Sequence, residues 1–185
     1  MNHKTIAPSL LLLAAAVVAP LRGADKPAPG GCGPNEITFN VSTRKHAQRP
    51  LPPGPDQALV YVIQDDNMFM TRPRPTVRVG LDGEWVGANH GNSWFSFTVV
   101  PGEHHLCASW QAYFPLKTGS REAAAHLSAE PGRVYFFRVR DFYSSDSRGM
   151  VVQPLMVELE PLDPDQGELF TKNFELSESQ PKAHH

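Results

Sequence analysis

Apolar and polar residues alternate most regularly over residues 76–111, where three strand-like runs follow one another. In the first run Val77, Val79 and Leu81 occupy every second position, and an Asp-Gly pair separates it from a second run over 84–88. A period of two is typical of a strand with one buried face, and Asp-Gly supplies the positive φ angles that tight hairpin turns require. The pattern therefore predicts an antiparallel β-hairpin with its turn at Asp82-Gly83.

The two-residue turn also predicts the register of this hairpin, because cross-strand partners share one face of a sheet. The expected pairs are Leu81 with Glu84, Gly80 with Trp85, and Val79 with Val86. The predicted core side carries Val77, Val79, Val86 and Ala88. Trp85 is then expected on the other face of the sheet.

A second hairpin is predicted at Pro101-Gly102, between a run over 93–100 and a run over 103–111. Its expected pairs are Val99 with His104, Phe97 with Leu106, and Phe95 with Ala108. This register brings Trp85, Trp94 and His105 to one surface. We expect a second sheet or the segment 112–125 to cover these rings and make them ordinary core. The alternative hypothesis is a ligand platform that stacks on rings such as those of sugars.

Four further runs rich in β-branched and aromatic or alternating residues predict strands at 35–43, 58–64, 126–130 and 133–140. The run 58–64 is apolar at nearly every position, which is typical of a central strand buried on both faces. A last strand is predicted over 150–160, where Pro154 favours an edge or bulged strand.

A short C-terminal helix is predicted over 164–172, because Asp163, Pro164 and Gln166 suit the N-cap, N1 and N3 positions. We expect Leu169 and Phe170 to pack against the sheet. Together these elements predict one mainly β domain over residues 35–172, an antiparallel β-sandwich of seven to nine strands. Residues 173–185 are expected to be a disordered tail.

The N-terminus has the pattern of a signal peptide over residues 1–24, with Lys4 ahead of an apolar run at 10–18 that is too short to span a bilayer. A Pro- and Gly-rich linker follows over 25–34. We therefore expect an exported protein, periplasmic or extracellular, without a transmembrane helix in its mature form. Lipid attachment at Cys32 is not favoured, because this cysteine lies well downstream of the apolar run.

Export also gives a meaning to Cys32 and Cys107, the two cysteines of the chain. An oxidising compartment favours a structural disulfide between them, and the alternative is two unrelated free thiols.

No pattern in the sequence indicates catalysis, a metal site or a cofactor. The formal net charge of −2, with 19% charged residues, gives no basic footprint for nucleic acid. His104 and His105 are neighbours in a predicted strand and point to opposite faces, so they cannot bind one ion together with His90. The pair Asp65-Asp66 is interpreted as solvated turn residues, and no nucleophile elbow, phosphate-binding loop or zinc-binding helix motif occurs.

The order of several short motifs resembles the bacterial domain-of-unknown-function family 2846 over residues 32–170. The motifs are Cys-Gly-Pro at 32–34, Ala-Leu-Val-Tyr-Val at 58–62, a Val-x-Asp-Gly-x-x-Val-Gly pattern stretched over 79–87, Ser-x-Phe at 93–95, Pro-Gly-Glu-His-His-Leu at 101–106 and Pro-Gly-Arg-Val-Tyr-Phe-Phe-Arg at 131–138. The Asp-Gly hairpin is also similar to that of PEGA-type surface modules. The resemblance implies an exported or envelope protein with an immunoglobulin-like or transthyretin-like sandwich, and it implies no functional residues.

The function expected from these patterns is a non-enzymatic envelope or extracellular module that mediates protein binding or assembly, including self-association through an edge strand. The alternative is a β-sandwich that binds carbohydrate or another small ligand through Trp85 and Trp94. A hydrolase with a divergent site ranks third.

Overall fold

The computed structural model describes residues 31–66, 74–111, 121–145 and 152–182, which fold into ten strands and one helix. The strands are β1 (Phe39–Arg44), β2 (Ala58–Gln64), β3 (Thr76–Leu81), β4 (Glu84–His90), β5 (Ser93–Val99), β6 (Gly102–Trp110), β7 (Glu122–Ala129), β8 (Val134–Ser145), β9 (Val152–Leu162) and β10 (Glu175–Pro181), and helix α1 (Pro164–Asn173) lies between β9 and β10. The prediction of a mainly β fold with a short helix near the C-terminus is confirmed. The strand count exceeds the predicted seven to nine.

The strands form two sheets that pack as a β-sandwich. The six-stranded sheet has the order β1-β10-β5-β2-β8-β9, and the four-stranded sheet has the order β4-β3-β6-β7. Two neighbouring pairs, β10 with β5 and β2 with β8, are parallel, so the larger sheet is mixed rather than wholly antiparallel as predicted. Strand β2 is buried at every position, as its apolar run predicts.

The main core fills the space between the sheets. It is built from the inward-facing apolar side chains Ala58, Val60, Val62, Val77, Val79, Phe95, Val99, Leu106, Ala108, Trp110, Leu127, Ala129, Phe137, Val139, Val157 and Leu159. A second, smaller core lies on the other face of the six-stranded sheet and comprises Leu59, Tyr61, Ile63, Trp94 and Phe136, with Phe170 and Phe174 packed against it. Strand β2 contributes to both cores, which explains its complete burial.

Helix α1 begins as predicted, because the Asp163 side chain accepts hydrogen bonds from the backbone N–H groups of Asp165 and Gln166. Phe170 packs against the smaller core, but Leu169 is 51% exposed, so only one of the two predicted contacts forms. At Gly167 helix α1 lies very close to β8, since a Cβ atom there would overlap the Phe136 ring.

The hairpin between β3 and β4 forms at Asp82 and Gly83, whose φ angles are 51° and 88°. The predicted pairs Leu81–Glu84 and Gly80–Trp85 are confirmed. A register shift between Val79 and Gly80 makes the next prediction wrong, because Val79 lies opposite Gly87 instead of Val86. The bulge adds one residue to β4 and so turns Asn89, not Ala88, toward the core.

The predicted second hairpin is wrong. Strand β5 pairs with β2 and β10 in one sheet, whereas β6 pairs with β3 and β7 in the other, so residues 100–101 carry the chain across the sandwich. The side chains that the predicted register places on one shared face do lie together, since Phe95, Val99 and Leu106 all belong to the main core. Alternation determines which face of a strand is buried, but it does not determine which strand lies beside it.

Several strand boundaries differ from prediction. Strand β1 begins at Phe39 rather than at 35, β7 begins at Glu122 rather than at 126, and β8 continues beyond its predicted end at 140 to Ser145. Strand β9 lies at a sheet edge as predicted, and its pairing with β8 shifts register where Tyr143 meets Pro154. Strand β9 was predicted to be the last strand, but β10 follows it in the chain.

The prediction of a disordered tail is wrong for residues 175–181, which form β10 between β1 and β5. This strand is polar because its outward residues are solvated, and its anchor is a buried hydrogen bond of 2.7 Å between the hydroxyls of Ser177 and Ser93. The predicted sandwich over 35–172 therefore extends to the last described residue, 182.

At the other end, the predicted signal peptide over 1–24 and most of the linker over 25–34 lie outside the described residues. The disulfide between Cys32 and Cys107 is confirmed, with the two Cα atoms 5.4 Å apart. No described helix is long and apolar enough to cross a membrane.

We predict that Gly167→Ala lowers the free energy of unfolding by about 1 kcal/mol. An added methyl group in a packed contact costs about 1–3 kcal/mol, and the better helix propensity of alanine offsets about 1 kcal/mol of that cost. Urea unfolding followed by circular dichroism measures the change.

Gly54→Ala is the matched control, because a Cβ atom at Gly54 meets nothing within 4 Å. Equal stability of the two variants would show that α1 is not packed closely on Phe136.

Candidate functional site

Trp94 does not lie on the predicted ligand platform. Its side chain is 1% exposed and packs in the smaller core, with its ring 5.6 Å from that of Tyr61. The indole N–H donates to the Phe174 carbonyl at 3.3 Å. The prediction that Trp85, Trp94 and His105 share one surface is therefore wrong, because the crossover after β5 places Trp94 on the other sheet.

Trp85 lies on the outer face of the four-stranded sheet, where the chain entering β1 covers it. Its indole N–H donates to the Pro34 carbonyl at 2.7 Å, and the guanidinium carbon of Arg78 lies 4.3 Å from its ring centre. A Cβ atom at Gly33 would come within 2.6 Å of the ring. Arg78 also donates to the Ile37 carbonyl at 2.7 Å. Trp85 and Arg78 thus hold residues 33–37, which directly follow the disulfide-bonded Cys32, against the sheet.

His105 lies on the same outer face as Trp85, beside His126 of β7, with the two ring centres 5.4 Å apart. His126 pairs with Glu103, whose other carboxylate oxygen accepts from the Ser128 hydroxyl at 2.7 Å. No group of three metal-ligating side chains occurs in the described part of the chain. Ligand binding by Trp85 and His105 stays a prediction.

His104 lies on the inner side of β6 and bonds to both the β3–β4 turn and the connection from β5 to β6. Its Nδ1 lies 2.7 Å from a carboxylate oxygen of Asp82, and its Nε2 lies 2.8 Å from the Val100 carbonyl oxygen. Both partners are acceptors, so both contacts are hydrogen bonds only in the imidazolium form, which donates from both nitrogens. Burial alone would lower the pKa of His104, but the bonds to Asp82 and Val100 outweigh it and raise the pKa above the ordinary 6.5.

The same contact lowers the pKa of Asp82. Burial would raise this pKa, but the hydrogen bonds from the His104 side chain and the His105 backbone outweigh it. The stabilisation from Asp82 is therefore present above its unfolded pKa and is lost only in acid. The stabilisation from His104 is complete below its unfolded pKa and is lost as the pH rises through its higher folded pKa.

We predict that His104→Gln destabilises the protein at pH 5.5 by about 1–2 kcal/mol, the strength of a charge-assisted hydrogen bond to a half-exposed partner. The difference between wild type and variant should shrink at pH 9, because the imidazolium form is lost as the pH rises through the raised folded pKa of His104. Urea unfolding at the two pH values measures it, and the subtraction removes the contribution of other titrating groups.

His46→Asn serves as the control, since His46 is an exposed residue with a φ of 54° that asparagine tolerates. A pH-independent effect of His104→Gln would show that the imidazolium form is not required.

A buried polar cluster closes one end of the main core. It consists of Gln64, Asp66, Trp110 and Asp141, each no more than 4% exposed. The Gln64 amide nitrogen lies 3.0 Å from a carboxylate oxygen of Asp66, 2.9 Å from one of Asp141 and 3.0 Å from the Pro75 carbonyl oxygen. The Trp110 indole N–H donates to the other oxygen of Asp141. An amide group has two hydrogens, so it cannot satisfy all three acceptors at once.

The cluster contains more acceptors than donors. One oxygen of Asp66 and the side-chain oxygen of Gln64 have no hydrogen-bond partner among the described residues. Burial raises the pKa of Asp66 to about 8, the charge of Asp141 and a hydrogen bond to it add to the rise, and Arg74 and Gln64 oppose it. Burial also raises the pKa of Asp141, against the hydrogen bonds from Asp66, Trp110 and Gln64. The two carboxyl groups therefore carry fewer than two negative charges at neutral pH.

The second candidate site is a sheet edge, and the edges differ in how their backbone groups are satisfied. At β4 the outward N–H of Ala88 donates to the Ser179 hydroxyl at 3.1 Å, and that of His90 donates to the Ser93 hydroxyl at 3.2 Å. Serine side chains from β10 and β5 therefore close this edge.

The edges of the six-stranded sheet are protected by other means. At β1 the Gln111 side chain accepts from the Phe39 N–H at 2.7 Å and donates to the Phe39 carbonyl at 2.9 Å, as a short strand would. Strand β9 carries Pro154 and Pro161, which interrupt the row of N–H groups that strand pairing requires.

Strand β7 carries no such hydrogen bonds or prolines in the described residues, although β9 of the other sheet runs close beside it. The Arg121 carbonyl accepts from the Trp110 N–H at 3.2 Å, so the odd-numbered residues of β7 face β6 and the even-numbered ones face away. The outward N–H and C=O groups of Ala124, His126 and Ser128 have no hydrogen bond among the described residues. The strand contains no Pro, Lys or Arg, and its outward side chains are exposed. This open edge of β7 is the feature best suited to bind another polypeptide.

The buried cluster was not found from the sequence, and the prediction of association through an edge strand did not identify β7. Asp65-Asp66 was interpreted as a solvated turn pair, whereas Asp66 is buried. The signal that could have found the cluster is Gln64, an amide at the end of an apolar strand, which has to find hydrogen-bond partners inside the protein.

No protein-family model matches this chain, and no curated protein or solved structure matches it significantly. The resemblance to family 2846 stays a prediction, and the function has to be argued from the site itself.

Proposed function

We propose that this protein is a non-enzymatic exported module that binds another polypeptide by adding a strand to the open edge of β7. The observation that supports it is the row of unpartnered backbone groups at Ala124, His126 and Ser128. Backbone groups of this kind give an incoming strand its affinity, and the side chains on either face give it specificity.

The side chains of β7 indicate the kind of segment that fits. On the inner face Ala123 and Ala125 are small and half-buried beside Leu127 of the core, whereas Ala124 and His126 on the outer face are exposed. A partner segment that alternates apolar and polar residues would extend the core on one face and meet solvent and His126 on the other. An incoming strand meets serine hydroxyls at β4, prolines at β9 and the Gln111 amide at Phe39 of β1.

Export is the second part of the proposal. It is supported by the disulfide between Cys32 and Cys107, which suits an oxidising compartment, and by the signal-peptide pattern over 1–24. The partner is then an envelope or extracellular protein, or a second copy of this chain. The carbohydrate-binding alternative has lost its main support, because Trp94 is buried and Trp85 is covered by residues 33–37.

We predict that Ala124→Pro weakens partner binding or self-association at least about tenfold, the effect of losing one intermolecular hydrogen bond together with steric exclusion. The substitution removes only an N–H that points away from β6, so the fold should persist. Light scattering after size exclusion measures self-association, and capture from the envelope fraction followed by titration of the purified partner measures binding.

Ala124→Val is the matched control, since it changes the same side chain and leaves the backbone edge open. Equal binding by wild type and both variants would place the interface elsewhere and reject the strand-addition proposal. A wild-type monomer that captures nothing would reject the binding function.

A further inference from the structure

The polar cluster occupies a position that an apolar residue would ordinarily fill. Gln64 and Asp141 continue the inward-facing rows of Val62 in β2 and Val139 in β8, so both point into the end of the main core. Asp66 is the second residue after β2, and its backbone N–H donates to the Asn92 side chain at 2.8 Å. The start of the connection from β2 to β3 is therefore held by Asp66, together with the Asp65 N–H, which donates to the Val139 carbonyl at 2.9 Å.

The positive charge near this cluster is too small to balance two ionised carboxyl groups. Arg74 is the one described cation that acts on Asp66, and it comes from the far end of the same connection. The Asp65 carboxylate is not part of the cluster, because one of its oxygens lies 3.9 Å from a guanidinium nitrogen of Arg138 in β8.

The remaining neighbours add no positive charge. Trp110 from β6 and Gln64 are neutral donors, and Asn92 after β4 is a neutral amide. Burial, followed by the charges of Asp141 and Asp66, raises the pKa of Tyr143, so its hydroxyl stays neutral. Two adjacent buried carboxylates with a single cation nearby repel each other, unless one of them keeps a proton.

We propose that Asp66 and Asp141 share one proton, and that this shared proton latches the start of the β2–β3 connection onto the end of the sandwich. The O–H of one carboxyl donates to the other, which supplies the donor that the Gln64 amide cannot provide. Loss of the proton replaces this hydrogen bond by repulsion, and Asp66 then leaves the cluster for solvent. The end of the core thus opens as the pH rises, independently of what binds at β7.

The direction of this pH effect follows from the linkage between protonation and structure. A carboxyl group whose pKa is higher in the closed form than in the open form favours the closed form in acid. The open fraction therefore grows with pH from the ordinary pKa of aspartate and levels off above the higher pKa of Asp66, which is about 8.

Hydrogen exchange of the backbone amide of Asp66 and of the Trp110 indole tests this latch by NMR on the oxidised full-length protein. After correction for intrinsic rates, protection should fall about tenfold per pH unit between about pH 5 and pH 8 and then level off, because one proton is lost on opening. In Asp66→Asn the protection of the Trp110 indole should not depend on pH. Asp65→Asn is the matched control and should behave as the wild type does.

Protection that does not vary with pH in the wild type would overturn the proposal, as would an equal loss of pH dependence in both variants. Asp141→Asn provides a second route if Asp66→Asn fails to fold, since it removes the same shared proton from the other side. A pH dependence that survives in Asp141→Asn would also overturn it. The amides of β7 report separately on the strand-addition site, so failure of the latch leaves the proposed function untouched.

Discussion

Every β-sandwich must satisfy or hide the backbone groups of its outermost strands, because unpaired N–H and C=O groups recruit other strands. In this chain much of that protection depends on β10, which supplies the Ser179 hydroxyl to β4 and pairs fully with β1. Strand β10 in turn depends on α1, whose Phe170 stacks on Phe174 at 4.9 Å just before the strand begins. The last segment of the chain thus satisfies part of the β4 edge and joins β1 to the six-stranded sheet, and it pairs with neither β9 nor β7.

The two ends of the chain hold the sandwich by different chemistry. At the N-terminal end, the disulfide, the Trp85 indole and the Arg78 guanidinium fasten residues 32–37 to the four-stranded sheet. At the C-terminal end, α1 covers the smaller core through aromatic packing. Both attachments occupy tryptophans that a sequence pattern would assign to ligand binding. A buried aromatic ring such as that of Trp94 stabilises the fold and is not available to stack on a sugar.

Much of the fold could be predicted from the sequence because some signals are local. The apolar run of β2, the Asp-Gly turn before β4 and the Asp163 cap of α1 each depend on residues close together in the chain. Sheet membership is not local, and alternation in β5 and β6 therefore gave the correct faces but the wrong partners. Strand β10 escaped prediction because its polar residues carry no apolar period. The buried role of Asp66 escaped because it depends on Asp141, far away in sequence.

The central claim is that the backbone edge of β7 is unoccupied in the free protein. Amide hydrogen exchange at single-residue resolution across Glu122–Ala129 measures this most directly. We predict fast exchange at Ala124, His126 and Ser128, and slow exchange at Ala123, Ala125 and Leu127, whose N–H groups bond to β6. Equal protection along the whole strand would contradict it, because another part of the same chain would then already occupy the edge.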